Sequence, residues 1–288
     1  MRTFITYTFI LSVMCLLVSC NKDQGAEPTN RSAISLHFSN TFQQTPIVLG
    51  DAGSSEATMH ISAMGQVHYF SELKYVISNI RLVQADGQEL AYHTADLDQG
   101  AILINQANPE SLDFLLRDIP VGEYQQIKFG LGVPAELNVL DEVKFPEFYA
   151  EVEANNTEMM WEWGTGYRFV KIEGFFGPDR QPLSVHTGST VTGTNGEPDS
   201  YIQGVDAYRD IVLDLPVNAV VGSNSPRITI QADFDKLLSG QENTIVLSPE
   251  NAQPNAHHTL DMLKFVNNLG GDGTSDQKGM FSVEQADN

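Results

Sequence analysis

The sequence predicts an all-β fold: an antiparallel β-sandwich, Ig-like or jelly-roll-like, with a short C-terminal helix. Three observations predict it. Apolar and polar residues alternate with period two through six segments. Gly, Pro, Asn and Asp fill the stretches between them. Helical patterns are few, and the best of them lies near the C-terminus.

The chain opens with Arg2 and the apolar run FITYTFILSVMCLLV, which is short for a membrane-spanning helix and has the form of a secretory signal, residues 1–19. Leu17-Val18-Ser19-Cys20 resembles a bacterial lipobox, which implies cleavage before Cys20 and a lipid on that residue. Residues 20–32 form a polar tether with Gly and Pro. The NKDQ after Cys20 resembles the export signals of surface lipoproteins in the Bacteroidetes. The chain is therefore expected in the bacterial cell envelope, anchored by lipid to the outer membrane and facing either the periplasm or the surface. Residues 33–288 read as one domain.

Within the domain, ISLHF (34–38) puts Ile34, Leu36 and Phe38 on one face and His37 on the other. LKYVISNIRLV (73–83) is rich in β-branched residues and ends at the turn Asp86-Gly87. YQQIKFGLGV (124–133) lines up Ile127, Phe129, Leu131 and Val133. YRFVKIEGFF (167–176), DIVLDLPV (210–217) and RITIQADF (227–234) alternate in the same way. In the first of these, Lys171 and Glu173 share a face and are expected to pair. PAELNVLDEV (134–143) reads as a short helix or an irregular excursion, and HTGSTVTGTNGEPDS (186–200) as a long loop. HHTLDMLKFVNNLGG (257–271) is the helix, with Leu260, Leu263 and Val266 as its apolar face and Gly270 as its stop.

Composition excludes several functions. Sixteen Lys and Arg stand against 37 Asp and Glu, a net charge of -21, which argues against a nucleic-acid partner. Cys15 lies in the signal and Cys20 is its boundary, so the domain has no thiolate for zinc, catalysis, haem attachment or a blue-copper centre. HExxH, GxSxG and a phosphate loop are all missing. Gly130 and Gly132 lack the third glycine of a dinucleotide fingerprint. DGTSD (272–276) lacks the terminal Glu of a calcium loop and reads as a solvated turn. Acidic pairs such as Asp96/Asp98 read as surface residues. The chain is expected not to be an enzyme.

The segment MMWEWGTGYRFVKIEGFF (159–176) holds both tryptophans, Trp161 and Trp163. Physics alone reads them as large aromatics packing a turn onto the sheet. ELKYVISNIRLVQADG, IPVGEYQQIKFGLGV and MMWEWGTGYRFVKIEG, in this order and spacing, resemble the MbnP-like family. LSVHTGS (183–189) resembles its His-Gly loop, and HHTLDMLKFVNNLGGDGTSDQKGMF its C-terminal helix. The resemblance implies a secreted or lipid-anchored β-sandwich that holds copper through histidine. In relatives, an oxidised tryptophan, kynurenine, belongs to the site. Trp161 and Trp163 are thus near-site aromatics.

The implied copper ligands are His186 first, at the start of the Gly-rich loop, then His257 or His258 before the helix, then His37 on the non-core face of its strand. His60, His68 and His93 follow mixed patterns. Relatives carry a cysteine after the His-Gly loop; this chain has none, which leaves the rigidity of the loop unexplained. The expected partners are a metal ion, the membrane through the lipid anchor only, and an envelope protein. The alternative is a structural or interaction lipoprotein that kept the scaffold without the metal and binds a peptide, glycan or protein.

Overall fold

A computed structural model describes residues 31–288 apart from 52–53, 55, 154–157, 162–165, 195–196, 256–258 and 272–278. Cys20, Trp163, His257, His258 and the 272–276 turn lie outside the described residues. The fold is mostly β, as the alternation predicts. No helix among the described residues is long and apolar enough to cross a membrane.

The first sheet is built on β1 (Arg31–Phe42). It continues through β2 (Thr45–Pro46), β7 (Asp113–Pro120), β14 (Arg227–Asp233) and β15 (Phe281–Asp287). The second sheet is built on the long β4 (Val67–Gln84). Its main path runs β10 (Gln181–Thr187), β9 (Val170–Phe176), β4, β8 (Gly122–Leu131), β13 (Arg209–Val221). The short strands β3 (His60–Ile61), β5 (Glu89–Tyr92) and β6 (Ile102–Asn105) also pair with β4. A separate ribbon, β11 (Val191–Thr192) with β12 (Ile202–Gln203), folds the front of the expected 186–200 loop into local structure. One pair departs from the antiparallel expectation: β1 and β14 run parallel, with Leu36 opposite Ile228 and Phe38 opposite Ile230. These strands are distant in sequence, so no hairpin turn dictates their direction.

The inward faces form the main core. Ile34, Leu36 and Phe38 from β1 meet Leu73, Tyr75 and Ile77 from β4 and Ile127 and Phe129 from β8. Phe38 lies edge-on to Tyr75 at 6.2 Å and to Phe129 at 6.3 Å. The buried Tyr75 hydroxyl donates to Asn40 Oδ1 at 2.8 Å, so its polar end is paired inside the core.

A second core forms on the outer side of the β4 sheet and positions the candidate site. The chain leaves β8 at Gly132, whose positive φ of 102° and close approach to the Phe169 ring leave no room for a side chain. Residues 134–143 are turns rather than a helix; the helix comes just after, as α2 (Pro146–Glu153), following α1 (Leu97–Gly100) in the chain. Phe145, Phe148, Met159, Tyr167 and Phe169 pack here with Val76. Met262 and Val266 of α3 (Thr259–Gly270) join them. The buried face of α3 is Met262, Phe265, Val266 and Leu269, while Leu260 is 79% exposed. Leu263 is partly buried. The helix ends at Gly270 as expected, and the next residue, Gly271, takes a φ of 77° that lets its N–H reach Asn267 O at 2.8 Å.

Candidate functional site

Three neighbouring strands present polar side chains on the outer face of the β4 sheet. Lys74 of β4 sits opposite Lys171 of β9, and Lys171 opposite His186 of β10. One step along, Glu72 faces Glu173 and Glu173 faces Ser184. The period-two rule that buries Val170 and Ile172 therefore brings an imidazole, a hydroxyl, two carboxylates and two ammonium groups onto one face.

The expected pairing of Lys171 with Glu173 does not occur. Lys171 Nζ donates to Glu158 Oε2 at 2.6 Å and is 3.0 Å from Glu72 Oε1, and Lys74 also bonds Glu72. Both lysines are buried, so neutralisation by two glutamates is the arrangement that tolerates them. The hydrogen bond from Lys171 holds the Glu158 carboxyl below the usual carboxylate range. Glu173 is thereby left to His186: its Oε1 lies 2.5 Å from His186 Nε2, and Ser184 Oγ donates to the same oxygen at 3.1 Å. His186 Nδ1 has no hydrogen bond among the described residues.

His186 lies in the last turn of strand pairing rather than in a loop. Its N–H donates to Pro254 O at 3.1 Å, and the Ser184 N–H donates to Ala252 O at 2.8 Å. The segment leading to His257 and His258 thus runs along the outer edge of β10. The loop that follows is held without a cysteine. The Phe169 N–H donates to Thr187 O at 2.6 Å. The fully buried Asn138 accepts from the Tyr167 N–H at 2.8 Å and donates to Ser189 O at 3.5 Å. Ser189 Oγ donates to Asp206 Oδ1 at 2.9 Å and accepts from the Ala207 N–H at 2.9 Å.

Trp161 is buried, 5% exposed, and walls this region. The Arg168 guanidinium lies over its ring at 5.2 Å, and Arg168 also bonds Glu158 O. A Cβ on Gly188 would stand 2.7 Å from Tyr167 O and 3.0 Å from Trp161 Cζ2 and Nε1. The glycine of the His-Thr-Gly motif therefore exists to admit the indole. Gly188→Ala is expected to cost about 1 kcal/mol and to shift tryptophan fluorescence, as checked by urea denaturation followed by emission.

Of the other expected ligands, His257 and His258 lie outside the described residues, and His37 is not gathered here. His37, on β1 of the opposite sheet, has Nδ1 3.0 Å from Asp113 Oδ1, and Arg227 bonds the same carboxylate at 2.8 Å. Among the described residues no group of three or more His, Cys, Asp or Glu side chains could hold a metal ion. Sequence reasoning missed Glu173 and Ser184 as partners of His186. The signal was the β9–β10 register, which the β9 sequence by itself does not give.

Comparison with known proteins agrees with this architecture. A family model described as MbnP matches residues 31–269. The solved structure of MbnP from Methylosinus trichosporium superposes with a TM-score of 0.53 at 14% sequence identity, covering 88% of this chain and 98% of that one. No curated protein sequence matches.

Proposed function

The chain belongs to the MbnP family, and on that premise we propose that it is a lipid-anchored, copper-binding protein of the bacterial cell envelope, acting in uptake, storage or delivery and not in catalysis. The observation that carries this reading is the His186–Glu173 pair. Imidazole suits copper. A metal-binding histidine is typically oriented by a carboxylate on its other ring nitrogen. With Nε2–H donated to Glu173, the Nδ1 lone pair is the one offered to a metal. Copper would be cargo: His186 would hold it, Glu173 would fix the tautomer, and Ser184 would steady the carboxylate. Further donors would come from His257 or His258. Covalent geometry keeps the His257 Cα within about 11 Å of that of Pro254, whose carbonyl receives the His186 N–H. Trp161, capped by Arg168, would exclude water from one side.

Titration of residues 20–288 with Cu(I) against a chromogenic chelator tests the reading. One equivalent that depends on His186 is expected, and no such equivalent would contradict it. The anchor has its own test. Cys20→Ala is expected to move the protein from the membrane fraction to the soluble fraction of cells, and unchanged membrane retention would exclude lipidation at Cys20 as the anchor.

A second reading, an interaction lipoprotein without metal, is favoured by one observation: the described residues hold no three-donor cluster. It predicts that copper affinity is the same with and without His186.

A further inference from the structure

The β3–β4 hairpin carries a histidine pair that the His186 site does not use. His60 and His68 are register partners. Directly opposed residues of an antiparallel pair hold their Cβ atoms about 4.5–5.5 Å apart on one face of the sheet. Both rings are withdrawn from water, at 3% and 0% exposure. Phe42 lies against them, 5.0 Å from the His60 ring and 6.0 Å from that of His68, and Phe70 is 5.7 Å from His60. Among the described residues, His60 Nε2 and both nitrogens of His68 have no hydrogen-bond partner in this aromatic pocket. A neutral imidazole has one donor and one acceptor to satisfy, so two register-paired rings with unpaired nitrogens are an unusual feature of a core.

Asp235 adds a charge. It is 5% exposed, its Oδ1 has no hydrogen-bond partner among the described residues, and its electrostatic interaction reaches His68. Its other oxygen, Oδ2, accepts from Ser239 Oγ at 2.5 Å. The hairpin also leaves two thioethers, Met59 and Met64, each 56% exposed, although methionine is usually a core-filling residue.

We propose that His60 and His68 form a two-coordinate site for a soft monovalent cation of the Cu(I) or Ag(I) class. Its charge is balanced by Asp235, and Met59 and Met64 at the exposed part of the hairpin make first contact. Two nitrogens without a third donor among the described residues suit such an ion; zinc requires four ligands. Burial keeps His68 unprotonated, with a pKa lowered to about 4, so its lone pair is available at neutral pH. The site is distinct from His186. His68 pairs with Phe176 at the end of β9 and His186 with Lys171 near its start, about 17 Å apart along the strand.

The test is titration of residues 20–288 with Ag(I), a redox-inert probe, while the histidine ring nitrogens are followed by ¹⁵N NMR. The ring signals of both His60 and His68 are expected to shift together with bound silver, in the native chain and equally in His186→Ala. A shape-conserving His60→Phe/His68→Phe double variant is expected to bind silver at this equivalent at least 100-fold more weakly while keeping the His186 response. Unmoved His60 and His68 signals at saturating Ag(I) would overturn the proposal. So would shifts confined to His186. The native-chain measurement decides the question even if the double variant does not fold.

Discussion

His186→Ala is expected to lower copper affinity at its site by about 100-fold or more, with little change in folding stability. The fold should tolerate the change because the backbone bond from residue 186 to Pro254 O does not involve the ring. The ring itself is part-buried at the edge strand and outside both apolar clusters. Glu173→Gln separates the ligand from its support. It keeps the shape but removes the carboxylate that accepts the Nε2–H, and it is expected to cost about 10–100-fold in affinity. Competition titration against a chelator checks both. Equal affinity for native chain and His186→Ala would transfer the function to the interaction reading.

The second large effect is on acid stability. Burial lowers the pKa of His68 to about 4, and burial also lowers that of His60. In the unfolded chain histidine titrates near 6.5. Below that pH the unfolded state takes up a proton that folded His68 refuses until the pH reaches about 4. Stability is therefore unaffected by this group above pH 6.5 and declines as pH falls from 6.5 to about 4. The loss is about 2 kcal/mol between pH 7 and pH 5. Urea denaturation at the two pH values checks it by comparison with His68→Phe, whose decline over the same range is expected to be smaller by that amount. Identical pH dependence would mean that His68 charges freely in the folded state.

The strands were legible because period two is written into each segment: ISLHF buries Ile34, Leu36 and Phe38 whatever its neighbours are. The helix face was only partly legible. Leu260 fits a helical stripe, but the stripe at Met262, Phe265, Val266 and Leu269 meets the sheet, and tertiary packing selects between the two. The family blocks located Trp161 and His186, yet the partner of His186 was out of reach. Lys171 and Glu173 are neighbours on β9, but each finds a better partner across the sheet, in Glu158 and Glu72 for one and His186 for the other. A strand sequence gives its face and leaves its register to the rest of the fold. His60 and His68 looked unremarkable for the same reason: only the β3–β4 register sets them side by side.

The loop after His186 makes a related point. A missing cysteine suggested slack, while rigidity comes from Asn138, Gly188 and Ser189, which lie on either side of the tryptophan segment in sequence. Small residues and amides fix the backbone here by filling space and completing hydrogen bonds.

In the proposed function His186, oriented by Glu173, is a copper ligand. Anomalous diffraction at the copper edge, from crystals of residues 20–288 grown with copper, tests it most directly. A peak is expected about 2 Å from His186 Nδ1, with Nε2 still on Glu173. Copper-saturated crystals with no peak at His186 would contradict it.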